Sequence, residues 1–193
     1  MDSIALFSST TINLTRLLVV VLGVLLPGLP VHADTLNVCS TCEYTSIELA
    51  ISDATAGDTV LVEPGTYTGN GNGVLDTQGK AITVMSSDPF GSEPTYLDGE
   101  GVRYGIYCHL DEDSTTIIEG FTVINSGCPD TCAGIYIDQS SPTIRYCSTG
   151  ENDRTVASGY NNSPAFLHCV FGSEVQLLSS AILDGCTINA PVR

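Results

Sequence analysis

Positive charge is scarce in this chain: six Lys and Arg residues stand against 22 Asp and Glu, a net charge of −16. Such a surface repels phosphate backbones and anionic headgroups, so nucleic acid and acidic lipid are not the expected partners. A polyanionic glycan would meet the same repulsion unless a cation such as Ca²⁺ stood between them. Long apolar runs are missing too. The run Leu17–Leu26 falls well short of the ~20 residues that span a bilayer. Helical periodicity is nearly absent: beyond Gly57 the chain reads as short strands punctuated by Gly, Asn, Asp, Ser and Pro, and no stretch makes a convincing helix. That excludes a helical bundle and an α/β fold.

What is present begins with a secretory pattern. Arg16, the short apolar run, the breakers Pro27, Gly28 and Pro30, and the exit Val31-His32-Ala33 follow the order of a signal peptide. The expectation is a signal over residues 1–33, cleavage after Ala33, and a protein that is secreted or held at the cell surface, with no membrane insertion after cleavage. The remainder keeps five basic and 21 acidic residues and all eight cysteines. An even cysteine count in an exported chain suggests disulfides. Cys39-Ser40-Thr41-Cys42 reads as a structural disulfide. Thioredoxin-like redox chemistry would need the motif at a helix start in an α/β fold, and a thiolate zinc site would need a second pair at suitable spacing. Cys128-Pro129-Asp130-Thr131-Cys132 reads as a small disulfide-closed loop.

One helix is expected, capped by Thr45 with Glu48 reaching back, carrying Ile47, Ala50, Ile51 and Ala54 on one face and stopped by Gly57. Asp58–Tyr67 reads as a strand closed by a Pro-Gly turn. After it a phrase recurs. Ile118-Glu119-Gly120-Phe121, Ile144-Arg145-Tyr146-Cys147, Phe166-Leu167-His168-Cys169 and Leu183-Asp184-Gly185-Cys186 each set an apolar residue three places before Phe121, Cys147, Cys169 or Cys186. Gly105-Ile106-Tyr107-Cys108 is echoed by Gly134-Ile135-Tyr136-Ile137. Short strands repeating every ~20 residues are the signature of a β-solenoid, in which coils stack ~4.8 Å apart and equivalent side chains form ladders. Ile118, Ile144, Phe166 and Leu183 are assigned to one interior ladder. Phe121, Cys147, Cys169 and Cys186 are assigned to another, with the thiols reduced and acting as small core hydrophobes.

The opening helix, Gly57-Asp58-Thr59-Val60, Pro64-Gly65-Thr66-Tyr67 and Gly79-Lys80-Ala81-Ile82-Thr83-Val84 together resemble the start of the pectin-lyase-like right-handed parallel β-helix superfamily. The Gly-Ile-Tyr and Ser-Pro-Thr-Ile phrases are similar to its generic coil repeat. The resemblance implies an all-β, right-handed parallel β-helix over residues 34–193, of about five to six coils, whose helix caps the N-terminal end. It also implies a C-terminally truncated piece of a longer solenoid, since about another coil is due where the chain runs out. The superfamily's functions are diverse, so the fold alone does not select one.

In the lyases of the superfamily that the chain resembles, carboxylates hold Ca²⁺ against a uronate and an Arg or Lys removes a proton. Asp98, Glu100 and Arg103, and Asp111-Glu112-Asp113, are the densest polar groups on the coils. Asp111 and Asp113 would share a face if extended and are the candidate calcium ligands. Glycosidases of this fold set aspartates on neighbouring coils, and Asp138 and Asp184 qualify by residue type alone. His168 is expected to point outward in a structural role. Tyr107 and Tyr136 alternate with inward Ile106 and Ile135, so both should face outward on adjacent coils and offer a carbohydrate-binding platform. The expected function is therefore an exported β-helix that binds or displays on extracellular polysaccharide or cell-surface glycan. The competing expectation is the N-terminal part of a polysaccharide lyase or glycoside hydrolase.

Overall fold

The structure, a computed structural model, describes residues 32–127, 133–150, 156–158, 162–177 and 180–189. Residues 1–31 of the expected signal peptide, and the Cys128–Cys132 loop, lie outside them.

Three parallel sheets organise the chain. In spatial order, the seven-stranded sheet holds β1 (Thr35–Val38), β2 (Thr59–Val62), β5 (Thr83–Ser86), β8 (Ile117–Glu119), β11 (Thr143–Arg145), β14 (Ala165–Leu167) and β17 (Ile182–Asp184). The six-stranded sheet holds β3 (Gly65–Tyr67), β6 (Thr95–Asp98), β9 (Phe121–Ile124), β12 (Ser148–Thr149), β15 (Val170–Phe171) and β18 (Thr187–Ile188). The five-stranded sheet holds β4 (Gly73–Asp76), β7 (Tyr104–Cys108), β10 (Ile135–Ile137), β13 (Val156–Ser158) and β16 (Val175–Leu177). The chain visits the sheets in rotation, and each circuit returns beside the strand it left. The result is a parallel β-solenoid of about five turns.

The interior follows from the alternation of side chains along each strand. Leu36, Val60, Val84, Ile118, Ile144, Phe166 and Leu183 stand in register through six successive parallel pairings. From Val60 to Phe166 each is fully buried, whereas Leu183, the last described member, is 36% exposed. A coil buries its inward face only when another lies on each side of it, and Leu183 lacks one among the described residues. The second expected ladder also holds. The pairings of Thr122 with Ser148, Ser148 with Val170, and Val170 with Thr187 put Phe121, Cys147, Cys169 and Cys186 in line one position earlier.

Each member of that ladder follows a residue in the left-handed backbone region: Gly120 (φ 80°), Tyr146 (φ 53°), His168 (φ 54°) and Gly185 (φ 63°). This is the corner between the seven- and six-stranded sheets. At Gly185 the glycine is needed twice over, because a Cβ there would lie 2.2 Å from the His168 ring. The turn also aims carbonyls inward, where thiols meet them. Cys169 Sγ donates to Ile144 O at 3.5 Å and Cys186 Sγ to Phe166 O at 3.3 Å, each one coil back. Cys108, Cys147, Cys169 and Cys186 are free thiols. Burial pushes the Cys147 thiol up to about 12 and raises those of Cys108 and Cys169, so these thiols stay protonated and unreactive.

The helix α1 (Ile47–Asp53) packs on β1, β2 and β4 through buried Ile47, Ala50 and Ile51. Its cap corrects the expectation by one residue: Ser46, not Thr45, is the N-cap, and its hydroxyl accepts from Leu49 N. Glu48 therefore sits one position too early to close a capping box. At the other end Lys80 Nζ donates to Ile51 O, Ser52 O and Ala54 O at 2.6, 2.7 and 3.0 Å, satisfying carbonyls that the helix leaves open. The expected single strand Asp58–Tyr67 is two. Glu63-Pro64 forms a corner rather than an end, and β3 continues on a different sheet. Proline suits that place because it offers no N–H to a ladder.

Candidate functional site

Outward positions on the five-stranded sheet carry a cluster of rings. Asp76, Tyr107, Tyr136 and Ala157 are successive register partners on β4, β7, β10 and β13. Tyr107 and Tyr136 thus lie on adjacent coils as expected, with ring centroids 5.8 Å apart and tilted by 36°. Two residues outside the expectation complete the group. Tyr104 stacks on Tyr107 at 5.1 Å and on Tyr136 at 4.8 Å, and His109 stacks on Tyr107 at 4.1 Å. Room for Tyr107 depends on the neighbouring coil, since a Cβ at Gly73 would come within 2.6 Å of its Cβ.

Carboxylates border the rings. His109 Nε2 lies 3.3 Å from Asp76 Oδ2, and Asp76 Oδ1 accepts from Gln78 N at 2.9 Å. Asp138 follows directly on β10. Burial raises the Tyr107 phenol, with smaller contributions from Tyr104, Asp76 and Asp138. Burial likewise raises Tyr136, helped first by Asp138. All three tyrosines and His109 are half-buried, so the rings hold one another while part of each stays exposed to solvent. The signal for Tyr104 was available in the register, for it faces Gly73 across the β4–β7 pair.

The acidic trio Asp111-Glu112-Asp113 divides differently from the expectation. Asp111 is exposed with φ 60°, so the segment is a turn and the alternation that would set Asp111 and Asp113 on one face does not apply. Thr115 donates both its N–H and its hydroxyl to Asp113 Oδ1, which lowers the carboxyl from its usual range. Among the described residues no group of three or more His, Cys, Asp or Glu side chains is placed to hold a metal ion.

Glu112, the member singled out for nothing, is 3% exposed and ties three coils together. It accepts from Thr77 Oγ1 at 2.7 Å, Gly79 N at 3.0 Å, Leu110 N at 2.9 Å and Ser140 Oγ at 2.6 Å. Burial alone would push its carboxyl up. The hydrogen bonds from Ser140, Leu110 and Thr77 outweigh that and hold it below the ordinary value.

Asp98 accepts from Glu100 N, and Glu100 pairs with Arg103, making a self-contained turn. Asp138 follows β10 of the five-stranded sheet, whereas Asp184 ends β17 of the seven-stranded sheet, so the two are not equivalent positions on neighbouring coils. His168 is exposed and stacks on Tyr146 at 5.2 Å, the outward placement expected of it. Cys39 and Cys42 are disulfide-bonded. Cys39 borders an open cavity of about 760 Å³ shared with Ser40, Thr41, Glu63 and Tyr67. Every basic side chain among the described Lys and Arg residues is engaged: Lys80 on helix carbonyls, Arg103 with Glu100, Arg145 with Glu119 at 2.7 Å. No helix among the described residues is long and apolar enough to cross a membrane.

Comparison with protein-family models, curated proteins and solved structures finds no match to this chain.

Proposed function

We propose that this chain is an exported β-solenoid that binds carbohydrate through the ring cluster Tyr104, Tyr107, Tyr136 and His109. The observation that carries the reading is the stacking of these rings on an outward face, bordered by Asp76 and Asp138. Sugar rings present apolar C–H faces that pack on aromatic planes, while neighbouring carboxylates accept from hydroxyls. A solenoid suits a polymer, because its coils repeat positions along one axis. Export, and placement in the medium or at the cell surface, belong to the proposal and rest on the residue pattern before Asp34. So does membership of the pectin-lyase-like type, with right-handed winding, the handedness favoured for parallel crossover connections, and α1 as the end cap.

The test is a panel of immobilised polysaccharides probed with the protein and with Tyr107→Ala. Retention on at least one glycan, lost by about tenfold or more in the variant with its melting temperature kept, supports the reading. Equal retention of both proteins refutes it.

A polysaccharide-cleaving activity is the second reading, favoured by the His109–Asp76 pair beside the platform. A carboxylate-oriented imidazole is a plausible general acid or base. Release of new reducing ends from a retained polysaccharide would select it over simple binding, and retention with no release from any glycan on the panel would exclude it.

A further inference from the structure

The platform's surroundings carry a charge signature that narrows its ligand. Asp76 lies opposite Tyr107 in the β4–β7 register, and Asp138 is the residue next to Tyr136 beyond β10. His109 joins Asp76 to the rings, 3.3 Å from its carboxylate and stacked on Tyr107 at 4.1 Å, and both carboxylates add to the rise that burial gives the Tyr107 phenol. Among the described residues the one basic side chain beside them is His109, which faces Asp76 at 3.3 Å. Lys80, Arg103 and Arg145 are held elsewhere, on the α1 carbonyls, Glu100 and Glu119. The whole chain adds a net charge of −16 to the same sign.

A uronate on these rings would face two carboxylates without a described partner for its own. An ammonium would meet the opposite situation. Aromatic faces attract cations through the ring quadrupole, and flanking carboxylates reinforce that attraction. We infer that the platform prefers glycans bearing free amino groups, polymers of glucosamine type, over their N-acetylated and uronate counterparts. The inference rests on the carbohydrate-binding reading above and specifies its substrate class. Stacking supplies the contact with the sugar ring, and Asp138 and Asp76 supply the selection of charge.

The experiment is calorimetric titration of the full protein with chitosan, chitin and galacturonate hexasaccharides in mildly acidic buffer, where the glucosamine amines are protonated. Chitosan binding about tenfold or more tighter than chitin is expected, with galacturonate the weakest. Asp138→Asn should shrink the chitosan advantage, and added salt should do the same. Tyr107→Ala should weaken both chitosan and chitin. Equal affinity for chitosan and chitin, with both lost in Tyr107→Ala, would overturn the amino-group preference and leave the platform intact. Tight chitosan binding unaffected by Tyr107→Ala would mean diffuse attraction to an acidic surface and would overturn the preference and the platform alike. The tightest binding by galacturonate would overturn the preference directly.

Discussion

The outward rows of two sheets in this solenoid differ although their inward rows do the same work. On the six-stranded sheet the outward positions read Thr66, Tyr96, Thr122, Ser148, Val170 and Thr187, mostly short hydroxyl side chains. Thr122 and Ser148 hydrogen-bond each other at 3.0 Å, so that row satisfies itself. On the five-stranded sheet the equivalent row reads Asp76, Tyr107, Tyr136 and Gln176, with large rings and a carboxylate. Inward, both are apolar: Leu97 and Val123 on one, Ile106 and Ile135 on the other, all fully buried. Because successive residues point to opposite faces, the core constrains only alternate positions and leaves the outward ones free to specialise. One row is mostly short hydroxyl side chains, and the other carries the rings proposed to bind glycan.

The largest expected effect breaks the framework that both faces share. Ile144→Asp puts an unpaired charge into a fully buried ladder position and should cost about 4 kcal/mol or more, seen as loss of cooperative thermal unfolding. An unchanged melting temperature would mean that the register is wrong. Next comes Glu112, the link between coils. Glu112→Gln should cost about 1–3 kcal/mol at neutral pH. The sign with pH follows from a folded-state carboxyl held below its unfolded value. The stabilisation is complete above the unfolded value and is lost as pH falls through the folded one. The wild type should therefore lose stability on acidification below about pH 4.5, and the variant should lose less over that window. Denaturant titrations at several pH values check it.

The two smaller effects sharpen the comparison between faces. Tyr107→Ala should change stability by only about 1 kcal/mol while removing most glycan binding. Thr122→Ala on the other sheet should shift stability by about 0.5 kcal/mol and leave binding unchanged, as read by the same titration. If Thr122→Ala weakened binding as much as Tyr107→Ala, the division of labour between the faces would fail.

The solenoid was legible because its determinants repeat. Ile118, Ile144 and Phe166 fall three places before Phe121, Cys147 and Cys169, and that phrase survives unequal intervals absorbed by the turns. What escaped the sequence is whatever depends on neighbours from another coil. Glu112 looks like the centre of a solvated acidic turn, and only the arrival of Thr77 and Ser140 from adjacent coils makes it a buried link. Lys80 enters the sequence reading only as part of the Gly79–Val84 phrase, while its ammonium ends on the carbonyls of a helix 26 or more residues earlier. The N-cap moved from Thr45 to Ser46 because two hydroxyl residues stand side by side and either satisfies the local pattern. For the site, Tyr107 and Tyr136 were visible through their alternation with Ile106 and Ile135. Tyr104 and His109 were not, since one opens its strand and the other follows it, outside the repeated phrase.

The most direct test of the account uses the eight tyrosines themselves. Ring-selective ¹³C labelling resolves each by NMR while chitosan and chitin hexasaccharides are added. The account predicts that Tyr104, Tyr107 and Tyr136 shift together and saturate at one affinity, with Tyr67 and Tyr96 unmoved. Shifts centred on Tyr96, or none at any tyrosine with either sugar, would contradict it.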